Sequence, residues 1–176
     1  MLNLFRAIVI VSLLSGCFSK ETEKSRQQIY YFDLKGYFSK TGQELNKRNP
    51  TINKTVAKDN KKETQNLTIK NWNQELALFI EADINKPAWK DSYRKDSTAT
   101  KITYTANDED LKTQRIEIFF EKGILAKIKI NSTVDNLLYQ SKEDLEFIPD
   151  SAYSIKKFQK VILLGENNYL IKGKLN

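Results

Sequence analysis

The stretch Ile116-Glu117-Ile118-Phe119-Phe120-Glu121-Lys122-Gly123-Ile124-Leu125-Ala126-Lys127-Ile128 has apolar residues at every second position, on both sides of a charged turn with one glycine. A period of two marks a half-buried strand, and glycine between two such runs marks a hairpin. With Glu121-Lys122-Gly123 as a three-residue loop and Gly123 at positive φ, Phe120 faces Ile124, Ile118 faces Ala126 and Ile116 faces Ile128 on one side. Glu117 then faces Lys127 on the other side, and Phe119 faces Leu125. A two-residue loop would put Lys127 opposite Ile118. Apolar groups inward and opposite charges outward agree with the three-residue register, so an antiparallel sheet forms the centre of the fold.

Downstream, Leu137, Leu138 and Tyr139 start another strand that carries Leu145 and Phe147, and Pro149-Asp150-Ser151 turns the chain. Tyr153 to Leu164 and Tyr169 to Leu175 read as two strands around Gly165-Glu166-Asn167-Asn168, with Leu164 opposite Tyr169 and Ile162 opposite Ile171. Upstream, Ile102, Tyr104 and Ala106 alternate with threonines and lead into the acidic turn Asn107-Asp108-Glu109-Asp110. That turn is the best metal candidate by composition. It lacks the glycine and the distant glutamate of a calcium loop, so a plain turn is the preferred reading.

Farther upstream the period lengthens. Asn71 with Gln74 forms a capping-box arrangement, and Trp72, Leu76, Phe79 and Ile80 predict a helix over 72–85 that exposes Glu75 and Glu81, with Asp83 bordering that face. Tyr30, Leu34, Phe38, Thr41 and Leu45 share one face of a second helix over 29–47, closed by Asn49-Pro50. Asp33 lies among aromatics; it is a candidate acid of raised pKa, with helix capping or solvent exposure the plainer reading. Between the helices, Thr51 to Val56 and Glu63 to Ile69 predict a hairpin around Asp59-Asn60.

The expected architecture is α+β, with two helices and a hairpin packed with a curved antiparallel sheet of five or six strands. The 176 residues suit a single domain over 29–176, preceded by a signal segment over 1–16 and a polar tether over 17–28.

The first residues carry an address. Arg6 and the short apolar run Ala7 to Leu14 form an export signal too short to span a bilayer. Leu14-Ser15-Gly16-Cys17 then resembles the lipobox of bacterial lipoproteins at all four positions. That resemblance implies lipidation of Cys17, the only cysteine, and attachment to the membrane through its acyl chains. Phe18 in place of aspartate implies the outer membrane of a Gram-negative cell envelope, and Lys20, Glu21 and Glu23 loosely match a surface-export signal. Three further segments, Tyr31-Phe32-Asp33-Leu34-Lys35-Gly36-Tyr37-Phe38, the run from Phe79 to Trp89, and Leu163-Leu164-Gly165-Glu166-Asn167-Asn168-Tyr169, resemble a group of small uncharacterised envelope lipoproteins. That resemblance supplies no site residue and no cofactor.

Composition narrows the chemistry. With no histidine, Ser-His-Asp and Cys-His catalysis and His-ligated metal sites are excluded. The chain has a net charge of +7, but its 29 basic residues are spread along the sequence and include only five arginines, which argues against nucleic-acid binding. Lys54, Lys58, Lys61 and Lys62 cluster near the predicted Asp59-Asn60 tip, where anionic lipid or polysaccharide is a conceivable contact.

Three functions fit this reading. The favoured one is a non-catalytic binding or assembly module that meets an envelope protein or glycan through its sheet or its aromatics. The second is a carrier for lipid or another apolar ligand, because the helix-capped, half-open sheet distantly resembles outer-membrane lipoprotein receptors in layout. The third is a histidine-free hydrolase, for which no Ser-x-x-Lys or paired-carboxylate pattern stands out. By elimination, Tyr37, Trp89, Tyr93 and Tyr153 are the candidate binding aromatics.

Overall fold

A computed structural model describes residues 28–176. The lipobox and most of the tether, including Cys17, lie outside the described residues.

The chain runs α1 (Leu34–Arg48), β1 (Thr51–Lys58), β2 (Lys61–Thr68), α2 (Trp72–Glu75), α3 (Ala77–Glu81), β3 (Tyr93–Ser97), β4 (Lys101–Ala106), β5 (Thr113–Glu121), β6 (Ile124–Asp135), β7 (Tyr139–Ile148), β8 (Ala152–Val161) and β9 (Gly165–Leu175). The described residues form one nine-stranded antiparallel sheet in the order β2-β1-β9-β8-β7-β6-β5-β4-β3. The expectation of five or six strands therefore falls short. The Asp59-Asn60 hairpin joins the main sheet through β1 and β9, with Val56 opposite Ile171. The remaining strand, β3, is an edge strand, Tyr-Arg-Lys-Asp-Ser, exposed after its first residue, so it has no alternation for a sequence reading to find.

The central hairpin keeps Ile116, Ile118 and Ile128 on the buried face but changes its register, and at the tip Leu125 replaces Ile124 as the partner of Phe120, leaving Ile124 73% exposed. Lys122 and Gly123 both have positive φ and make a two-residue turn, and Glu121 pairs with Ile124. A bulge at Ala126 then shifts the partners, so that Ile118 faces Ile128, Ile116 faces Ile130 and Phe119 faces Lys127. Two-residue loop and apolar pairing are compatible because the extra residue restores the face that the shorter loop would have reversed.

The last hairpin is also corrected. Its turn is Ile162-Leu163-Leu164, Val161 pairs with Gly165, and Glu166-Asn167-Asn168 lies within β9. The aliphatic run reads as strand and the polar run as turn, and the chain does the reverse.

The helices cover one face of the sheet. Phe38 of α1 packs against Phe147 at 5.1 Å, Phe79 of α3 against Phe147 at 6.0 Å, and Trp72 of α2 against Tyr153 at 6.1 Å between ring centroids. Leu34, Phe38, Ile52, Trp72, Leu76, Phe79, Ile118, Ile128 and Ile130 are fully buried at the centre of this layer. Each such side chain contributes about 1.5–3 kcal/mol of transfer free energy.

The first helix starts later than expected. Asp33 is its N-cap, accepting a hydrogen bond from the Gly36 backbone N–H at 2.7 Å, and the residues before it are not helical. Asn85 holds that entry segment: its Oδ1 accepts from the backbone N–H groups of Tyr30 and Tyr31, both at 2.9 Å, and its Nδ2 donates to the Phe32 carbonyl at 3.1 Å. The predicted 72–85 helix breaks at Leu76 and ends at Glu81. Past that end, Asp83 turns inward and accepts from the backbone N–H groups of Asn85 and Lys35, an alternative to the helical ladder.

Candidate functional site: a polar concavity on the helix-free face

Because side chains alternate along a strand, the nine strands carry a second, outward set of residues. One row crosses the sheet through register partners: Thr55, Lys172, Ser154, Glu146, Lys129, Glu117 and Thr103. Neighbouring rows place Asn53 beside Lys174 and Ala152, and Lys156 beside Asp144 and Asn131. Together they line a concavity of about 660 Å³ across β1, β9, β8, β7 and β6.

Its two carboxylates are held. Glu146 pairs with Lys129 at 3.4 Å, and Asp144 accepts from Asn131 Nδ2 at 2.6 Å. Its remaining cations are not: among the described residues, Lys156, Lys172 and Lys174 make no ion pair. The concavity is thus rimmed by three ammonium groups without an ion pair against the one carboxylate, Asp144, that no cation holds, an excess of positive charge, with hydroxyls and amides from Thr55, Ser154, Asn53 and Asn131 between them. Ammonium groups on flexible stems suit an anionic ligand bound by charge rather than by a fixed bidentate geometry. The sequence signal for this site was the i, i+2 spacing of Ser154 with Lys156 and of Lys172 with Lys174. That signal is weak, because polar residues on a strand read as solvated.

The four candidate aromatics do not make one surface. Tyr153 is 2% exposed and Tyr93 6% exposed, which corrects the expectation that the core leaves them out. Tyr153 donates its hydroxyl to Glu75 Oε1 at 2.6 Å, and Tyr93 donates to the Thr113 carbonyl at 2.9 Å. Burial raises the pKa of both phenols above the ordinary range. Trp89 is half-buried, with Lys86 Nζ 3.8 Å from its ring centroid. Tyr37 is half-buried against Phe38 and lines a small cavity of about 190 Å³ with Lys40, Glu44, Arg48 and Asp150.

The carboxylates expected on the exposed face of the second helix are also placed differently. Glu75 is largely buried between Tyr153 and Lys54, whose Nζ lies 2.7 Å from Oε2, and Asp83 is buried. Glu81 stays exposed, 4.0 Å from Lys112. Asn107 to Asp110 belong to the β4–β5 turn, where Asp108 accepts from the Asp110 backbone N–H. Between helices and sheet, the space that a greasy groove would need is filled by Phe38, Trp72, Leu76 and Phe79. The larger cavity is on the other face.

Compared with known proteins, the chain matches no family model, no curated relative and no solved structure.

Proposed function

We propose that this chain is a lipid-anchored envelope protein, tethered through Cys17 at the outer membrane, that acts by binding and not by covalent chemistry. Its ligand is an acidic glycan held on the helix-free face of the sheet. The observation that carries this reading is the set of three unpaired cations, Lys156, Lys172 and Lys174, around a cavity large enough for a short oligosaccharide. The lining offers no aromatic platform of the kind on which a neutral sugar stacks: its one aromatic, Tyr153, is buried on the opposite side. Support for the anchor comes from the Leu14-Ser15-Gly16-Cys17 match and from the polar stretch behind it. No helix among the described residues is long and apolar enough to cross a membrane.

Retention on immobilised dextran sulfate, compared with neutral dextran, tests the reading. The triple variant Lys156→Gln, Lys172→Gln, Lys174→Gln should lose salt-sensitive retention, while Lys58→Gln, Lys61→Gln, Lys62→Gln should keep it. Equal retention of the first variant and the parent would refute the site.

A further inference from the structure

Eight large apolar side chains are exposed among the described residues, and five of them, Leu137, Leu138, Ile162, Leu163 and Leu164, sit on two turns at one end of the sheet. Leu137 is 92% and Leu163 98% exposed. The turns are neighbours, because β7 pairs with β8 so that Tyr139 faces Val161, and the Ile162 backbone N–H donates to the Leu138 carbonyl at 3.1 Å.

Both turns are built rather than loose. Asn136 Oδ1 accepts from the backbone N–H groups of Leu138 and Tyr139, each at 3.0 Å, which fixes Leu137 at the outer tip. Leu163 has φ of +72°, a left-handed conformation unfavourable for a side chain of its size. A fully exposed leucine in an unfavourable backbone conformation breaks two local rules at once, as happens where a segment serves function.

One layer inward from the aliphatic tips the chemistry changes. Tyr139 and Tyr169 are partly buried there, Lys58 lies over the Tyr169 ring at 5.5 Å, and the adjacent β1–β2 turn exposes Lys61 and Lys62. The acidic groups at this end are each engaged: Asp59 accepts from the Asn168 backbone N–H, Asp135 from Gln140, Glu63 from Gln65, and Glu166 pairs with Lys160. Aliphatic tips below a belt of tyrosine and lysine match the polarity profile of a bilayer surface: hydrocarbon, then an interface that favours aromatics, then anionic headgroups.

We propose that the turns 136–138 and 162–164 form a docking foot that enters the interfacial region of a bilayer containing anionic lipid. The proposal uses none of the residues of the concavity, and it goes beyond the glycan reading, whose failure would leave it standing. The concavity lies toward the β7–β8 turn, at the opposite strand ends, so a docked foot would leave that site open to ligand.

The test is tryptophan depth measurement with the full chain on phosphatidylcholine–phosphatidylglycerol vesicles, plain or with brominated acyl chains. Leu163→Trp and Leu137→Trp change exposed positions and leave the core intact. Each added tryptophan should shift to the blue on the vesicles and lose roughly half or more of its emission to brominated lipid, as expected for insertion about 5–10 Å into the interface. Ile124→Trp, exposed at the opposite strand ends, should stay unquenched. Emission unaffected by bromine at both tips, including through failure to bind vesicles, would overturn the proposal. Equal quenching at Ile124 would overturn it too, as would a blue shift without lipid accompanied by dimerisation.

Discussion

The ring of Tyr153 lies directly over Gly173, its partner across the β8–β9 ladder, so closely that a β-carbon at Gly173 would come within 2.1 Å of the ring. The glycine leaves room for the phenol to lie flat and to reach Glu75 on α2, which also takes Lys54 from β1. Helix and sheet are thus joined through one glycine. Gly173→Ala must displace a buried ring and is expected to cost about 1–3 kcal/mol, read from the urea midpoint. Tyr153→Phe keeps the packing and removes the donor to Glu75, for an expected loss of about 1–2 kcal/mol.

Asn85 is the corresponding pin for the segment that leads into α1. Asn85→Asp keeps the acceptor for the Tyr30 and Tyr31 amides, removes the donor to Phe32, and adds a charge beside Asp83. Asn85→Ala removes both functions. A loss of about 2 kcal/mol or more is expected for each, with faster amide exchange at Tyr30 and Tyr31; unchanged exchange there would show that the pin is not structural.

Gly123 has φ of +79°, and no atom outside the turn lies within 4 Å of where its β-carbon would be. Any penalty at this position is therefore one of backbone conformation. Gly123→Val should lower stability by about 1 kcal/mol or more, and Gly123→Asn by clearly less, because asparagine tolerates the left-handed region. Equal melting temperatures for the two variants would contradict the turn geometry.

Two ion pairs give pH dependence of opposite sign. Burial works against the charge of Glu117, but hydrogen bonds and charge from Arg115 and Lys101 outweigh it, so its pKa lies below the ordinary 4.5. A depressed carboxylate contributes stability that is present above its unfolded value and lost as pH falls through the folded one. Unfolding free energy should fall less steeply below pH 4.5 in Glu117→Gln than in the parent, with a cost at neutral pH of about 1 kcal/mol or less. For Lys157, burial lowers the pKa and the bond to Glu143 raises it more, leaving it above 10.5. Its contribution is present at lower pH and lost on the alkaline side as pH rises through the folded value, a loss that Lys157→Met should lack.

Much of the sheet is legible because Ile116, Ile118 and Phe120 recur at every second position ahead of a glycine turn, and Asp33, Asn71 and Gly123 are conformational specialists whose roles follow from their chemistry. The bulge at Ala126 was not legible, since one extra residue leaves no mark in composition. The turn at Ile162-Leu163-Leu164 departs from its sequence reading for a physical reason: burial is the usual fate of such a run, and here it is exposed. Elimination puts Tyr93 and Tyr153 at the surface, but a phenol with a hydroxyl partner is easily buried. The concavity depends on which outward residues of five strands become neighbours, and that is fixed only once β9 has paired with β1.

An amide chemical-shift titration of the isotope-labelled protein with a short acidic oligosaccharide tests the concavity as a glycan site. Shifts confined to Asn53, Thr55, Ser154, Lys156, Lys172 and Lys174, and suppressed by salt, are the predicted result. Saturable shifts centred elsewhere, or none at low salt, would contradict it.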